Sequence, residues 1–324
     1  MRLVFAAILT LSLAACAPRA TAPFDPNRAL NPDDFGPQPA RVEWWYVSGY
    51  LPDDAIAFHW AQFKVTARGI PYTASHVAVT DLRTDRLSFQ EQNRGLVTYR
   101  FPPLEIGQGR WKLRQEGSAY TLKAESIDVR LTPTKPNVIH PPGYSGTAEV
   151  GRLYYQSNTR MTLEGTIAGR PVKGLAWLDH QWGDQLAGTA ALWDWFGLHL
   201  SNGVDLMVYR VKDGRGRVVQ QFGSFVDPSG VARNPTNVQL TPMRTWTSSS
   251  SHTYGTAWTL SADEFELQVE AVREDQELRS RTTYVAYWEG PMKGRGRWRG
   301  EPVEVVGMGE FVGGALPGSP IAPR

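Results

Sequence analysis

The sequence predicts a mostly β protein built from two antiparallel sandwich- or barrel-like domains. Three observations support this fold class: short runs of β-branched and aromatic residues, turn-forming residues between the runs, and an internal repetition of motifs. No long stretch shows the hydrophobic period of an amphipathic helix. At 324 residues, the chain is long enough for two domains of about 150 residues each.

The predicted strands are short and bounded by turns. Residues 45–51, 75–79 and 265–269 combine β-branched and aromatic residues in runs of strand length. Ser201-Asn202-Gly203 and Lys212-Asp213-Gly214 are typical of tight turns between such strands. An antiparallel barrel suits this pattern, because closure removes the exposed edge strands and a small barrel can enclose one ligand.

The chain also matches itself when it is shifted by 131 residues. Five residues of the first half then meet identical residues of the second: Met161, Gly165, Gly169, Pro171 and Val172 align with Met292, Gly296, Gly300, Pro302 and Val303. On the same diagonal Asp179 meets Glu310. In a separate match, the Trp-rich segment 44–46 has a counterpart at 193–196. We interpret this pattern as a duplication, with an N-terminal domain over residues 40–186 and a C-terminal domain over residues 187–316.

Composition excludes several classes of function. The chain carries 34 Lys and Arg against 32 Asp and Glu, so no basic excess is available to bind the phosphates of a nucleic acid. The single Cys can form no internal disulfide and excludes zinc sites built from several Cys. The six His show no metal-binding spacing, and no glycine-rich phosphate loop follows a strand, so we expect neither a metal nor a nucleotide cofactor.

The N-terminus has the features of a bacterial lipoprotein precursor. Arg2 precedes an apolar run too short to span a bilayer, so residues 1–15 are predicted to be a signal peptide. The run ends in Leu13-Ala14-Ala15-Cys16, which resembles a lipobox, where the Cys sulfur receives a diacylglyceryl group. Lipidation of Cys16 would anchor the protein to a membrane. The alternative is an ordinary signal peptide that happens to contain a Cys.

The regions that flank the predicted domains are expected to be extended. Residues 16–39 are rich in Pro, Asn and Asp and are predicted to form a tether, and residues 317–324 a short tail. The mature protein is expected in the cell envelope, lipid-anchored and outside the cytoplasm. Ala17 is not the Asp that retains some lipoproteins at the inner membrane, which favours the outer membrane.

The densest cluster of polar and aromatic residues lies near the middle of the chain. In a strand, Asp179 faces one side while His180, Trp182 and Asp184 face the other. A His beside an indole and a carboxylate can handle a proton against an apolar wall. The second copy has Glu310-Phe311 where the first has Asp179-His180; because a structural requirement would tend to recur in both copies, this asymmetry favours a functional site in the first half. The alternative is a buried His that fixes the domain junction.

Four spaced motifs resemble those of the carotenoid 1,2-hydratase/AttH family. They are Glu43-Trp44-Trp45-Tyr46, Trp177-Leu178-Asp179-His180-Gln181-Trp182-Gly183, Trp193-Asp194-Trp195-Phe196 and Tyr287-Trp288-Glu289-Gly290. The resemblance covers roughly residues 40–315. It implies two lipocalin-like β-barrel domains packed side by side, a lipophilic isoprenoid or polyene as the substrate of the hydratases, and neither a metal nor an organic cofactor.

The resemblance also implies a site that adds water to a carbon–carbon double bond. Such a site needs a carboxylic acid kept protonated by an apolar environment, and aromatic faces to stabilise a carbocation. His180 and Trp182 match the family's His-x-Trp pair, but its Tyr-x-Asp pair is not in register within residues 205–209. The remaining candidates for proton transfer are Asp179, Asp184, Asp205 and Tyr209, and the candidates for substrate binding are Trp45, Trp177, Trp193 and Trp195.

Two other functions fit the sequence. A non-catalytic lipocalin-like protein would carry a lipophilic ligand without turnover. A secreted hydrolase would act on apolar esters, although the chain has no Gly-x-Ser-x-Gly motif. The role of Glu43 is also open at this point, because it could pair with a nearby Arg or supply a second carboxylate at the mouth of a pocket.

Overall fold

The computed structural model describes residues 21–67, 70–185 and 191–316, and in these ranges the protein consists of strands, turns and loops without a helix. The strands form two antiparallel sheets, one from each half of the chain. Among the described residues there is consequently no helix of the length and apolarity needed to cross a membrane. The predicted signal peptide and Cys16 lie outside the described residues.

Within the described residues, the first sheet has twelve strands. They are β1 (Val42–Leu51), β2 (Ile56–Ala67), β3 (Ile70–Asp81), β4 (Arg86–Gln92), β5 (Val97–Arg100), β6 (Glu105–Gln108), β7 (Trp111–Glu116), β8 (Ala119–Ala124), β9 (Ile127–Pro133), β10 (Val138–Thr147), β11 (Gly151–Ile167) and β12 (Arg170–Gly183). The strand order is β4-β3-β2-β1-β12-β11-β9-β8-β7-β6-β5, and β10 pairs with β11 beside this path.

The second sheet has ten strands in the part of the chain that the structure describes. They are β13 (Ala191–Leu200), β14 (Asp205–Asp213), β15 (Val218–Val226), β16 (Ala232–Arg233), β17 (Gln239–Thr247), β18 (Thr253–Ala262), β19 (Phe265–Ala271), β20 (Glu277–Arg279), β21 (Val285–Trp298) and β22 (Glu301–Ala315). The strand order is β16-β15-β14-β13-β22-β21-β19-β18-β17, and β20 pairs with β21.

The two sheets repeat one topology. In each sheet the first strand lies between the second strand and the last strand, and the last two strands form a long hairpin, β11–β12 or β21–β22. The 131-residue diagonal aligns these hairpins. Gly165 and Gly296 occupy equivalent positions, where a Cβ would come within 2.3 Å of Asp128 O and 2.0 Å of Glu266 O. The repeated glycines therefore allow a neighbouring strand to approach closely.

Three large clusters of buried apolar side chains stabilise the fold. One lies inside the first sheet, one inside the second, and the third between the two sheets. The period of a strand divides β1 between two of them: Trp45 and Val47 belong to the first core, whereas Trp44 and Tyr46 belong to the cluster between the sheets. Each sheet thus curls around its own core, which confirms the prediction of two lipocalin-like antiparallel barrels.

The segment before β1 differs from the expected tether. It has no regular secondary structure, but it packs on the first sheet, with Phe35 only 1% exposed. The Trp45 Nε1 donates a hydrogen bond of 2.7 Å to Phe35 O, and the amide of Asp25 donates one of 2.8 Å to the Tyr154 hydroxyl. These contacts hold the described part of residues 16–39 against the folded body, so that part is not a free linker.

Candidate active site

A cavity of about 350 Å³ lies between the two sheets. Its walls come from β1, β2 and β3 of the first sheet, from β13, β21 and β22 of the second, and from the loop before β21. A larger groove, of about 1220 Å³, runs over the first sheet, but its lining mixes Lys and Arg with Asp and Glu side chains. That groove is a solvated charged surface, so the apolar cavity between the sheets is the candidate site.

Two carboxyl groups face this cavity from neighbouring strands. Glu289 on β21 and Glu310 on β22 are directly paired across the two strands, so their side chains project side by side. Tyr46, from the first sheet, donates a short hydrogen bond to Glu289 Oε1. The pair therefore sits where the two halves of the chain meet.

These carboxyl groups are held in their neutral form. Burial, reinforced by neighbouring carboxylates, raises the pKa of Glu289 well above its ordinary value. Burial and the nearby Asp179 raise the pKa of Glu310 to about 8. Burial also raises the pKa of Asp179 to about 7, although hydrogen bonds to its carboxylate oppose the shift. At neutral pH the cavity thus contains a carboxylic acid that can donate a proton.

Aromatic rings form much of the cavity wall. Trp44 from β1 and Trp193 from β13 are stacked, with ring centroids 5.9 Å apart and an interplanar angle of 15°. These residues are equivalent positions of the duplicated strand. Tyr46 and Tyr287 complete the wall near the carboxyl pair. The faces of such rings carry negative charge density, so they can stabilise a positive charge that develops in the cavity.

Asp179 lies behind the cavity wall and is fully hydrogen-bonded. Its Oδ2 accepts a bond of 2.9 Å from the Tyr155 hydroxyl, and its Oδ1 accepts one of 2.5 Å from Trp177 Nε1 and a short one from Ser157. Trp195 Nε1 in turn donates to the Tyr155 hydroxyl at 2.8 Å. Asp179, Trp177 and Trp195 thus form a fixed network that influences the cavity through the charge of Asp179.

The partly exposed side of the cavity, here called its mouth, is lined by residues 282–284 of the loop 280–284. Glu91 of the first sheet accepts hydrogen bonds from the Arg281 amide at 2.9 Å, the Thr282 amide at 3.0 Å and the Ser280 hydroxyl at 2.7 Å. Tyr72 donates to Thr282 O at 2.6 Å and, like Tyr284, remains partly exposed. One carboxylate therefore fastens this loop of the second half onto the first half.

His180 and Trp182 point away from the cavity. They project from the opposite face of β12 to Asp179, as the strand period predicts, and His180 stacks on Trp45 with ring centroids 4.8 Å apart. The His180 Nε2 lies 2.9 Å from Glu43 Oε1, and Glu43 also pairs closely with Lys64. Glu43 therefore pairs with a Lys and a His, not with an Arg. The structure places Trp45 in the N-terminal core with His180 stacked on it, and Trp182 in a small separate cluster with Ala40 and Tyr154.

The other predicted proton-transfer residues are dispersed. Asp184 is exposed at the end of β12, where its Oδ1 accepts a hydrogen bond of 2.7 Å from the Arg152 amide. Asp205 is buried in a cluster of cations that includes Lys135, at 2.8 Å. Tyr209 is buried between the sheets with its ring 6.3 Å from Trp193, and its hydroxyl has no hydrogen-bond partner within the described part of the chain.

The structure thus brings only Trp193, of the ten residues proposed for catalysis or substrate binding, to the cavity surface. Sequence reasoning missed Glu289, Glu310, Trp44, Tyr46 and His59, which line it. A signal for two of them was present. The 131-residue diagonal set Glu310 opposite Asp179, and Glu289 lies in the Tyr-Trp-Glu-Gly motif. The difference between Asp179-His180 and Glu310-Phe311 favours the first half, yet the carboxyl groups that face the cavity, Glu289 and Glu310, are in the second.

The family model for AttH-like proteins matches residues 23–313. The chain belongs to the AttH-like family. Among solved structures, an AttH-type protein from Nitrosomonas europaea superposes with a TM-score of 0.77 at 27% identity, over 90% of this chain and 99% of that one. No curated protein matches the sequence.

More distant structures share the fold of this AttH-like protein. Kievitone hydratase from Nectria haematococca superposes with a TM-score of 0.66 at 18% identity, over 85% of this chain and 90% of that one. CghA superposes with a TM-score of 0.53 at 12% identity, over 86% and 89% of the two chains.

Within the described ranges, no group of three or more His, Cys, Asp or Glu is arranged to hold a metal ion.

Proposed function

We propose that this AttH-like protein is a hydratase that adds water to a carbon–carbon double bond of an apolar isoprenoid or polyene. The observation that carries the proposal is Glu310, a carboxyl group held protonated at neutral pH in an apolar cavity whose wall includes the stacked rings of Trp44 and Trp193. The fold shared with a protein named kievitone hydratase supports the reaction class.

The reaction begins with proton transfer from Glu310 to one carbon of the double bond. The electron pair of the double bond forms the new C–H bond, and the other carbon becomes a tertiary carbocation. The rings of Trp44 and Trp193 stabilise this cation, and the carboxylate left on Glu310 balances its charge. Water then attacks the cation, and a proton of the oxonium returns to the carboxyl pair, so the acid is regenerated.

The size of the cavity limits how much of the substrate it holds. About 350 Å³ is near the lower end of the range of roughly 300–1,000 Å³ for small-molecule pockets. A short isoprenoid fits such a volume, whereas a long polyene would place only one end in it. The partly exposed rings of Tyr72 and Tyr284 at the mouth can cover the portion that remains outside.

The test is incubation of the purified protein with an acyclic carotene and with squalene between pH 5 and 9, followed by mass spectrometry for the hydroxylated product. Glu310→Gln should lower turnover about a hundredfold or more, the usual effect of removing a general acid. Glu301→Gln, on the exposed part of the same strand, should leave turnover unchanged. The proposal fails if the wild type yields no hydroxylated product at any pH, or if Glu310→Gln is as active as the wild type.

A second candidate function is that of a non-catalytic carrier of lipophilic ligands. The apolar cavity, lined largely by aromatic and β-branched side chains, favours it. Native mass spectrometry and the absorption spectrum of the protein as purified would reveal a retained polyene. Tight retention without product, unaffected by Glu310→Gln, would support the carrier and contradict the hydratase.

We also propose that Cys16 carries the lipid that holds the protein in the cell envelope, with the outer membrane as the expected site. The lipobox-like sequence before Cys16 supports this proposal. Metabolic labelling with palmitate should label the wild type and an Ala17→Ser control, and Cys16→Ala should abolish the label. A labelled Cys16→Ala variant, or an unlabelled wild type, would contradict it.

A further inference from the structure

His59 is a buried residue of the cavity wall that takes no part in the reaction steps proposed for Glu310. It lies on β2, is 2% exposed, and its Nδ1 is 4.0 Å from Glu289 Oε1. Its ring is flanked by Tyr46 at 6.0 Å and by Tyr287 at 6.3 Å. Within the described residues, its Nε2 has no hydrogen-bond partner.

A second polar atom without a partner lies beside it. Ser48 on β1 pairs directly with His59 across the strands, is 1% exposed, and also leaves its hydroxyl without a partner in the described ranges. An unpaired buried polar group is unfavourable, because it has lost its hydrogen bonds to water without gaining others. His59 lines the cavity near Glu289, and Ser48 lies beside His59 on the adjacent strand, so the two residues together offer a donor and an acceptor to a small polar molecule.

The charge of His59 suits such a site. Burial, with a smaller contribution from the neighbouring His76, lowers the pKa of His59 to about 3, so the imidazole is neutral at physiological pH. A neutral imidazole can hold a water molecule without placing a positive charge beside a carbocation. An imidazolium at this position would repel the intermediate.

We propose that His59, together with Ser48, binds the water that attacks the carbocation, beside Glu289. This inference rests on the proposed hydratase function. The imidazole orients the water so that an oxygen lone pair forms the C–O bond, and the released proton passes to the carboxyl pair. His59 therefore determines whether the carbocation captures water or loses a proton and returns to the alkene.

The partition between these two outcomes can be measured in D2O. Protonation by the exchanged carboxyl group followed by loss of a proton yields a deuterated alkene, whereas capture of water yields a deuterated alcohol. Squalene is the probe, and mass spectrometry gives the ratio of alcohol to deuterated alkene. A purely structural role for His59 would lower both products together and leave their ratio unchanged.

The variants His59→Phe and His59→Leu remove both ring nitrogens, and His59→Gln retains a side-chain nitrogen. We expect the ratio of alcohol to deuterated alkene to fall about tenfold in the first two, the effect of losing one hydrogen bond to the attacking water, and to recover partly in His59→Gln. His252→Phe, at a His of the C-terminal half that does not line the cavity, is the control.

Three results would overturn the inference. An unchanged ratio in both His59→Phe and His59→Leu overturns it alone, because the chemistry would persist without the imidazole. Equal loss of both products in all three His59 variants assigns His59 a structural role. Absence of both alcohol and deuterated alkene from the wild type overturns the proposed function and this inference with it.

Discussion

The sequence indicates Asp205 as a candidate catalytic residue, whereas the structure places its carboxylate in a buried cluster of ion pairs. Lys135 Nζ lies 2.8 Å from its Oδ2, Arg160 Nη2 lies 2.7 Å from its Oδ1, and His199 Nδ1 lies 2.7 Å from Oδ1. Lys135 and Arg160 belong to the first half of the chain and Asp205 to the second. The carboxylate is 0% exposed and Lys135 only 5%.

Asp205→Asn should destabilise the protein by about 3–5 kcal/mol, because it leaves the buried Lys135 and the partly buried Arg160 without their counter-charge. Asp128→Asn is the matched control, since Asp128 pairs with Lys123 at 3.0 Å on an exposed surface and should cost less than about 1 kcal/mol. Denaturant unfolding followed by tryptophan fluorescence gives both values. Turnover of folded Asp205→Asn should equal that of the wild type, since Asp205 does not line the cavity.

The pH dependence supplies a second measurement. Burial opposes ionisation of Asp205, but the hydrogen bond from His199 and the charge of Arg160 hold its pKa below the usual value. The carboxylate therefore stabilises the fold above about pH 4, and this contribution disappears as the pH falls through the folded-state pKa. A cost below about 1 kcal/mol at pH 7, or a cost that grows as the pH falls, would refute the assignment.

Two further predictions concern the cavity. Because burial raises the folded-state pKa of Glu310 to about 8, the free energy of unfolding should decrease as the pH rises from about 5 to 8. Denaturant unfolding at several pH values should show a weaker decrease in Glu310→Gln. An equal decrease in the variant and the wild type would contradict the role of burial. Glu91→Gln should weaken the hydrogen bonds that hold residues 280–284, so the dye N-phenyl-1-naphthylamine should associate with this variant faster than with the wild type in stopped-flow fluorescence. The exposed-surface variant Glu116→Gln should bind the dye at the wild-type rate. Equal association rates in all three proteins would show that the loop does not limit entry into the cavity.

The sequence predicted much of the fold because the relevant signals are local. The alternation along β1 places Trp45 in the first core and Trp44 at the interface between the sheets, and the same alternation along β12 puts His180 and Asp179 on opposite faces. The repeated Gly165 and Gly296 mark the matching hairpins of the two sheets. Each signal depends on the two-residue period of a strand or on the close approach of adjacent strands, which neighbouring residues determine.

Only the tertiary structure decided where the chemistry lies. The bond from Tyr46 to Glu289 joins residues 243 positions apart, and Asp205 meets Lys135 across the two halves. Strand periodicity states which face a side chain occupies, but it does not state which face of another sheet packs against it. That packing places Glu289 and Glu310 in an apolar cavity, and burial there raises their pKa values. The sequence determined two β-barrels and the face that each side chain occupies on its strand. The packing of one sheet on the other buries Glu310 and so keeps this carboxyl group protonated.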